Sequence, residues 1–277
     1  MVVGKRGKVG RLVRNLFLIL VVLVYLFPVY WMAVTSLKTR VQTFQIPPVW
    51  LFTPTWMNYQ SVLSAVDVPR SYLNSAIISL ATTCFSLLIG SMAAYGLARL
   101  KFRRKEDLSF WILSTRMFPP IATIIPIYLL FRNLSLLDTH IALILVYTTF
   151  NLGFSVWMMQ GFFAEIPIEL EEFAYIDGCT RWQVLTRIIY PLARPGLAAT
   201  AIFCLIFSWN EYLFAVILSG RQSRTMPVIA AGAITDRGVM WGDLTAVAVL
   251  IAIPVMIFAS LVQKHLVRGL TFGALKQ

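Results

Sequence analysis

Long stretches almost free of charge alternate with short polar segments along this chain, and the alternation repeats six times. A bilayer core about 30 Å thick takes about 20 helical residues to cross. Each stretch therefore predicts a membrane-spanning helix, at residues 15–37, 71–98, 108–131, 139–164, 196–220 and 244–263. Arg116 falls inside the third and Glu211 inside the fifth. The predicted fold is all-α and polytopic, with 71–263 as its core and two external loops at 38–70 and 221–243. A polar insertion at 165–195 separates the fourth and fifth spans, and the ends are a basic segment at 1–14 and a tail at 264–277. The first apolar run is longer than the 7 to 15 residues of a cleavable signal peptide, so it is read as a retained helix.

Charge orients the spans. With the N-terminus inside, sixteen Lys and Arg lie on the cytoplasmic side: those before residue 15, from Arg99 to Lys105, from Arg181 to Arg194 and after residue 263. The opposite side holds seven: Lys38, Arg40, Arg70, Arg132, Arg221, Arg224 and Arg237. The positive-inside rule then puts both termini, and the 165–195 insertion, in the cytoplasm.

Of 277 residues, 58% are apolar and 13% are charged, far from the roughly 25% charge of a soluble domain. The net charge of +12 sits in basic clusters between apolar spans, which suits anionic lipid head groups rather than nucleic acid. Cys84, Cys179 and Cys204 form no disulfide pattern. His140 and His265 lack neighbouring ligands at metal spacing, so no metal site is expected.

The insertion has internal structure. Ile168 to Ile176 is rich in helix formers and carries Glu169, Glu171 and Glu172 in its opening turns, where the helix dipole favours anions. Gly178 ends that helix, and Thr180 caps a second one in which Leu185, Ile188 and Ile189 recur at helical spacing. Two short helices meeting at an elbow either rest on lipid as an interfacial hairpin or form a knob that a partner's groove holds.

Glu172, Ala174, Asp177, Gly178, Ile188 and Pro191 coincide with the Glu-Ala-Ala signature by which membrane subunits of ATP-binding-cassette importers grip their ATPase. The chain departs from that signature at Phe173, Cys179 and Tyr190. Further elements follow in order: Phe44 to Pro48, Pro54 with Asn58-Tyr59, Ala93 to Arg99, Met117 to Pro120, Trp209-Asn210-Glu211 and Gly269 to Lys276. Together the chain resembles the carbohydrate branch of this importer permease family. The resemblance implies a type I importer fold, a second homologous permease, two copies of a cytoplasmic ATPase that bind the ATP and Mg, and an external solute-binding protein. Closure of the ATPase pair would tilt the elbow, and with it the spans, between two packed states.

Arg116 and Glu211 are costly within a membrane, so both should face the bundle interior or water. They either pair with each other or contact solute, and Glu211 could instead bond to its chain neighbours. Sugars are held by polar groups together with aromatic faces; Asn151, Trp209, Asn210, Glu211 and Tyr212 are the cavity candidates, with Tyr147 and Trp157 beside them. Pro119, Pro120 and Pro126 should kink span three and free carbonyls, either to line a cavity or only to bend the helix. The prolines and Trp50, Trp56 and Tyr59 of the first external loop suit a stiff segment plus a short surface helix. It could dock a delivering protein or cap the bundle.

An enzyme lacks its parts here: Gly7-Lys8 is followed by Val9, so no phosphate-binding loop exists, and no catalytic triad is spaced along the chain. An ion-coupled secondary transporter could use Arg116 and Glu211 as a relay, yet leaves the insertion unexplained. An importer permease for an amino acid or another small solute is the remaining alternative.

Overall fold

The computed structural model describes residues 8–65, 67–235 and 238–273. It contains helices α1 (Lys8–Ser36), α2 (Arg40–Phe44), α3 (Met57–Ser64), α4 (Asp67–Arg99), α5 (Lys105–Met117), α6 (Pro120–Asn133) and α7 (His140–Ala164). These are followed by α8 (Glu169–Ile176), α9 (Arg181–Leu192), α10 (Arg194–Trp209), α11 (Leu213–Leu218), α12 (Met226–Ala231) and α13 (Trp241–Gly273). A two-residue antiparallel pair, β1 (Ile234–Thr235) with β2 (Gly238–Val239), lies within the expected 221–243 loop.

Four of these helices are long and apolar enough to cross a membrane, and six spans result if each of two sharply bent pairs counts as one. Two expectations are corrected. Residues 108–131 do not form one kinked helix: Phe118-Pro119 divides them into α5 and α6, which meet at 88°. Pro119 and Pro120 cannot donate backbone hydrogen bonds, and the residue before a proline is pushed to extended geometry, so the helix stops there. Residues 196–220 are also divided, because α10 ends at Trp209 and α11 begins at Leu213. Elsewhere the helices outrun the apolar windows. α1 starts at Lys8, α4 at Asp67 and α13 at Trp241, and α13 runs on to Gly273 through much of the expected tail. The basic residues Lys5 and Arg6 and the end of the 269–276 element lie outside the described residues.

The chain forms two compact units. In the larger, residues 66–229 with the chain from 253 onward, α4 and α7 are the central pair. The buried face of α4 is made of small and hydroxyl residues, including Ser71, Ser75, Ser79, Thr82, Ser86, Gly90 and Ala94. Small side chains let helix backbones approach in a membrane, where no hydrophobic force drives helices together. A Cβ at Gly90 would sit 2.5 Å from the Ser155 Oγ of α7, and one at Gly196 would sit 2.4 Å from the Phe162 ring. At one end, Ile78, Ile124, Phe131, Leu143, Val146, Phe214 and Leu218 join α4, α6, α7 and α11 in a single apolar cluster.

Beside that cluster, Asp138 holds the segment after α11. Its carboxylate accepts from the backbone N–H of Gly220 (2.7 Å), Gln222 (3.1 Å) and Ser223 (2.9 Å), and from the Ser223 hydroxyl (3.0 Å). Burial alone would raise its pKa; the bonds from Ser223, Gln222 and Gly220 outweigh burial and hold it below the usual carboxylate value.

The smaller unit, residues up to 65 with 230–252, contains α1, whose most apolar window has no buried residue. The turn after α1 is tightly held. Asn58 Nδ2 donates to the carbonyls of Ser36 and Lys38, both at 2.8 Å, the Tyr59 and Ser36 hydroxyls lie 2.8 Å apart, and Thr39 and Gln42 form a reciprocal capping box on α2. Residues 45–56 form neither helix nor strand and lead into α3, the short helix expected there.

Candidate functional site

The insertion folds into the expected elbow. α8 ends in a Schellman motif: Cys179 N–H donates to the Ala174 carbonyl (2.9 Å), Gly178 N–H donates to that of Tyr175 (3.1 Å), and Gly178 adopts φ +84°. Only glycine takes that conformation without a Cβ penalty. Thr180 then opens α9 through a capping box with Gln183 (2.7 and 3.3 Å). In the middle of α9, Leu185–Ile189 forms a π-turn, with Tyr190 N–H bonded to the Leu185 carbonyl. Pro191 follows directly and cannot donate to Arg187, which removes one α-type bond at the point where the ladder shifts.

The elbow has a welded side and a free side. Ala174, Val184, Leu185 and Ile189 are buried in one cluster with Ala94 and Leu97 of α4 and Met159 and Phe163 of α7. Tyr190 places its hydroxyl 2.8 Å from that of Ser91 and stacks on Phe163, so a ring is accommodated where the family signature has an aliphatic residue. Outward, Phe173 is 66% exposed and Ile176 81% exposed, and Trp182 joins them at the surface. Phe173 therefore enlarges the free face of the knob without crowding its base. Of the six signature positions, Ala174 is buried, Ile188 and Pro191 are half-buried, and Glu172, Asp177 and Gly178 are exposed.

A further contact fastens the elbow. Glu171 is 2% exposed and forms an ion pair with Arg99 at the end of α4. Its other oxygen accepts from the Tyr95 hydroxyl at 2.7 Å, and Arg99 Nη2 also donates to the Ile166 carbonyl at 2.7 Å. The carboxylate is thereby satisfied on both oxygens, which a buried charge requires. Sequence reasoning does not pair Arg99 with Glu171; the available signal was that Glu171 and Ala174, three residues apart, share one face of α8.

Of the arrangements expected for the half-buried charges of the bundle, Glu211 takes the one in which it bonds to its chain neighbours. Arg116 and Glu211 open onto one small cleft of about 210 Å³, together with Tyr147, Asn151, Phe150 and Phe207, but they form no ion pair. Arg116 stands in the last turn of α5 with its guanidinium 4.6 Å from the Phe154 ring centre and 4.3 Å from that of Phe207. A cation is favoured both over ring faces and at a helix C-terminus. Glu211 instead accepts from the N–H of Phe214 (3.0 Å) and Ala215 (3.2 Å). Those amides begin α11 and have no intrahelical acceptor. The Glu211 carboxylate thus satisfies the break in the span, a position where an anion also meets the helix dipole.

The remaining cavity candidates separate. Asn151 is buried at the cleft, with its amide donating to the Tyr147 carbonyl and the Ser208 hydroxyl, both at 3.0 Å. Trp209 is buried edge-on to Tyr72 of α4. Asn210 is exposed and bonds back to the Ile206 carbonyl at 2.9 Å. Tyr212 and Trp157 are exposed, and none of these last four lines the cleft. Tyr147 does, with its buried hydroxyl beside the Glu211 carboxylate. Among the described residues no His, Cys, Asp or Glu cluster could hold a metal ion.

Known proteins resemble this chain over most of its length. The chain is 36% identical over 262 residues to the trehalose/maltose transport system permease protein MalG of Thermococcus litoralis, covering 93% of this chain and 94% of the relative. It is 34% identical to the diacetylchitobiose uptake system permease protein DasC of Streptomyces coelicolor, over 98% and 99% of the two chains. Its fold matches a chain of a bacterial ABC transporter involved in the import of the acidic polysaccharide alginate, with a TM-score of 0.78 at 25% identity, covering 95% of this chain and 99% of that one. Residues 86–272, from the middle of α4 to the end of α13, match the model of the binding-protein-dependent transport system inner membrane component. With the elbow and the divided apolar helices, these matches place the chain in the family of binding-protein-dependent transport system inner membrane components.

Proposed function

We propose that this chain is the permease subunit of an ATP-driven carbohydrate importer, and that its α8–α9 elbow receives the ATPase. The observation that carries the reading is the two-sidedness of the elbow. Its base is fixed to α4 and α7 by an apolar cluster and the Arg99–Glu171 pair, while Phe173, Ile176, Trp182, Glu172 and Asp177 are left at the surface. A knob so built passes a push on its face to the two central helices as a rigid body.

In this reading both termini and the elbow are cytoplasmic. A second permease of the same family completes the translocation pathway, two cytoplasmic ATPase subunits bind ATP and Mg, and an external binding protein delivers the solute. Carbohydrate is supported by the names of the relatives, which transport trehalose, maltose and diacetylchitobiose. The cleft between Tyr147, Asn151 and Arg116, with Phe150 and Phe207, has the mixture of polar and aromatic groups that sugar rings engage.

The test is reconstitution of the complete transporter in vesicles with Gly178→Val. A β-branched residue cannot take φ +84° without strain, so the elbow should open while the spans stay inserted. ATP hydrolysis should then continue without sugar uptake. Uptake at the wild-type rate by that variant would refute the role of the elbow.

A further inference from the structure

We infer that the cleft shared by Arg116 and Glu211 takes an acidic sugar, whose carboxylate is held by Arg116. The inference rests on the carbohydrate importer reading and narrows it to one class of solute.

The two charges that face the cleft differ in what they have left to offer. Glu211 engages one carboxylate oxygen with the Phe214 N–H and the other with that of Ala215, and the Tyr147 hydroxyl lies beside it. Arg116 is secured by two ring faces, at 4.6 and 4.3 Å, and by its place in the last turn of α5. Both stabilise its charge. Neither occupies its donors, because a ring has no lone pair to receive an N–H in the way an oxygen does. A guanidinium carries five such donors in a fixed fork. Among the described residues no oxygen accepts from Arg116, and no carboxylate lies within ion-pairing distance of it.

The polar neighbours are already engaged. The Asn151 amide nitrogen donates to the Tyr147 carbonyl and the Ser208 hydroxyl, both at 3.0 Å, and Ser208 donates in turn to the Cys204 carbonyl at 2.8 Å. The cleft therefore offers a solute a fork of charged donors together with the Asn151 oxygen as an acceptor. A carboxylate fills the fork with two parallel bonds, which a single hydroxyl cannot do. A hydroxyl of the same molecule can donate to Asn151. Phe150 and Phe207 give the C–H face of a ring its apolar wall. At about 210 Å³ the cleft lies below the roughly 300 Å³ where pockets for drug-sized ligands begin, so it suits one sugar unit. A uronic acid meets all four conditions. A neutral hexose meets the last three and leaves the fork half used.

Equilibrium binding to the complete transporter in lipid nanodiscs tests this, with glucuronate and glucose as probes. The external binding protein is omitted, so that selection by it does not enter. The wild type should bind glucuronate about tenfold more tightly than glucose, the scale of one charge-assisted contact. Arg116→Gln should remove the preference, and Arg116→Lys, which keeps the charge without the fork, should retain part of it. Equal affinity for the two sugars in the wild type, which needs no variant to fold, would overturn the inference. So would an unchanged preference in Arg116→Gln. Either result leaves carbohydrate import standing, because glucose still binds. Acetate held as tightly as glucuronate, and through Arg116, would show an anion site without a sugar and overturn the inference. Binding of neither sugar, with ATP-driven uptake of a solute that is not a sugar, would overturn the carbohydrate reading along with it.

Discussion

Two breaks in the helical ladder, one in the elbow and one in the fifth span, meet the same need by opposite means. At Gly178 the chain turns with a left-handed glycine, and the last carbonyls of α8 are satisfied by the backbone itself. Between Trp209 and Leu213 the first amides of α11 are satisfied by the Glu211 side chain. The acid of α8, Glu171, cannot serve those carbonyls, which are acceptors like itself, and it takes the Arg99 cation from another helix. The acid in the span is consumed locally, and Arg116 turns to aromatic rings. A buried charge is taken by whichever unsatisfied group the local backbone leaves nearest, so two charges facing one cleft need not pair.

The largest effect should come from the elbow. Glu171→Ala leaves Arg99 buried without its partner and should cost about 3 to 5 kcal/mol, read as a lower unfolding midpoint of the purified transporter. Replacing both residues by leucine should cost less than the sum of the single replacements; full additivity would show that the pair does not fasten α8. In the span, Glu211→Ala should cost about 2 kcal/mol, the loss of two bonds to a charged acceptor at a helix start. Adding Arg116→Met should then contribute independently, within about 0.5 kcal/mol. A coupling well above that value would restore the ion pair that the geometry denies.

Asp138 offers an intermediate case, an acid that also takes backbone amides but outside the spans. Its carboxyl is held below the usual value in the folded state, so the unfolded chain binds the proton first. Its contribution is complete above the ordinary carboxylate pKa of about 4 and is lost as pH falls through the lower folded value. Stability of the wild type should fall across that acidic window more steeply than that of Asp138→Asn, as melting curves from pH 6 to about 3 would show. A parallel loss in both proteins would remove Asp138 from the account. The smallest effect belongs to Gly178→Ala, about 1 kcal/mol for the left-handed backbone alone, since a Cβ there meets no atom within 4 Å. A cost above about 3 kcal/mol would mean that the elbow is crowded at its bend.

The elbow was legible in the sequence because its devices are local. A glycine stop, a threonine cap and the 185, 188, 189 repeat each act within a few positions, and each has one dominant structural use. Span three announced its break through Pro119, though not the 88° angle, which depends on how α5 and α6 separately pack on α7. The division of span five carried no proline and followed from Glu211 competing for the amides of α11. Arg99 and Glu171 are 72 positions apart, and their meeting depends on the tertiary placement of α8 against the end of α4. The serine, threonine and glycine face of α4 was present in the sequence at spacings of three and four, but hydropathy records only that such residues are mildly polar. Their use is steric, and it becomes visible once Gly90 is seen against Ser155.

The π-turn at Leu185–Ile189 acts as a phase adjuster. Holding one residue more per turn, it offsets everything on its N-terminal side by about 100° relative to a continuous α-helix. Val184 is thereby aimed inward in company with Leu185 and Ile189, while Trp182 is aimed out. Homologous chains that differ by a single residue between Thr180 and Pro191 would present a different set of side chains on the same scaffold. The angular bearing of the knob can thus be reset by one insertion or deletion, at the cost of repacking Val184 and Leu185 against α4 and α7.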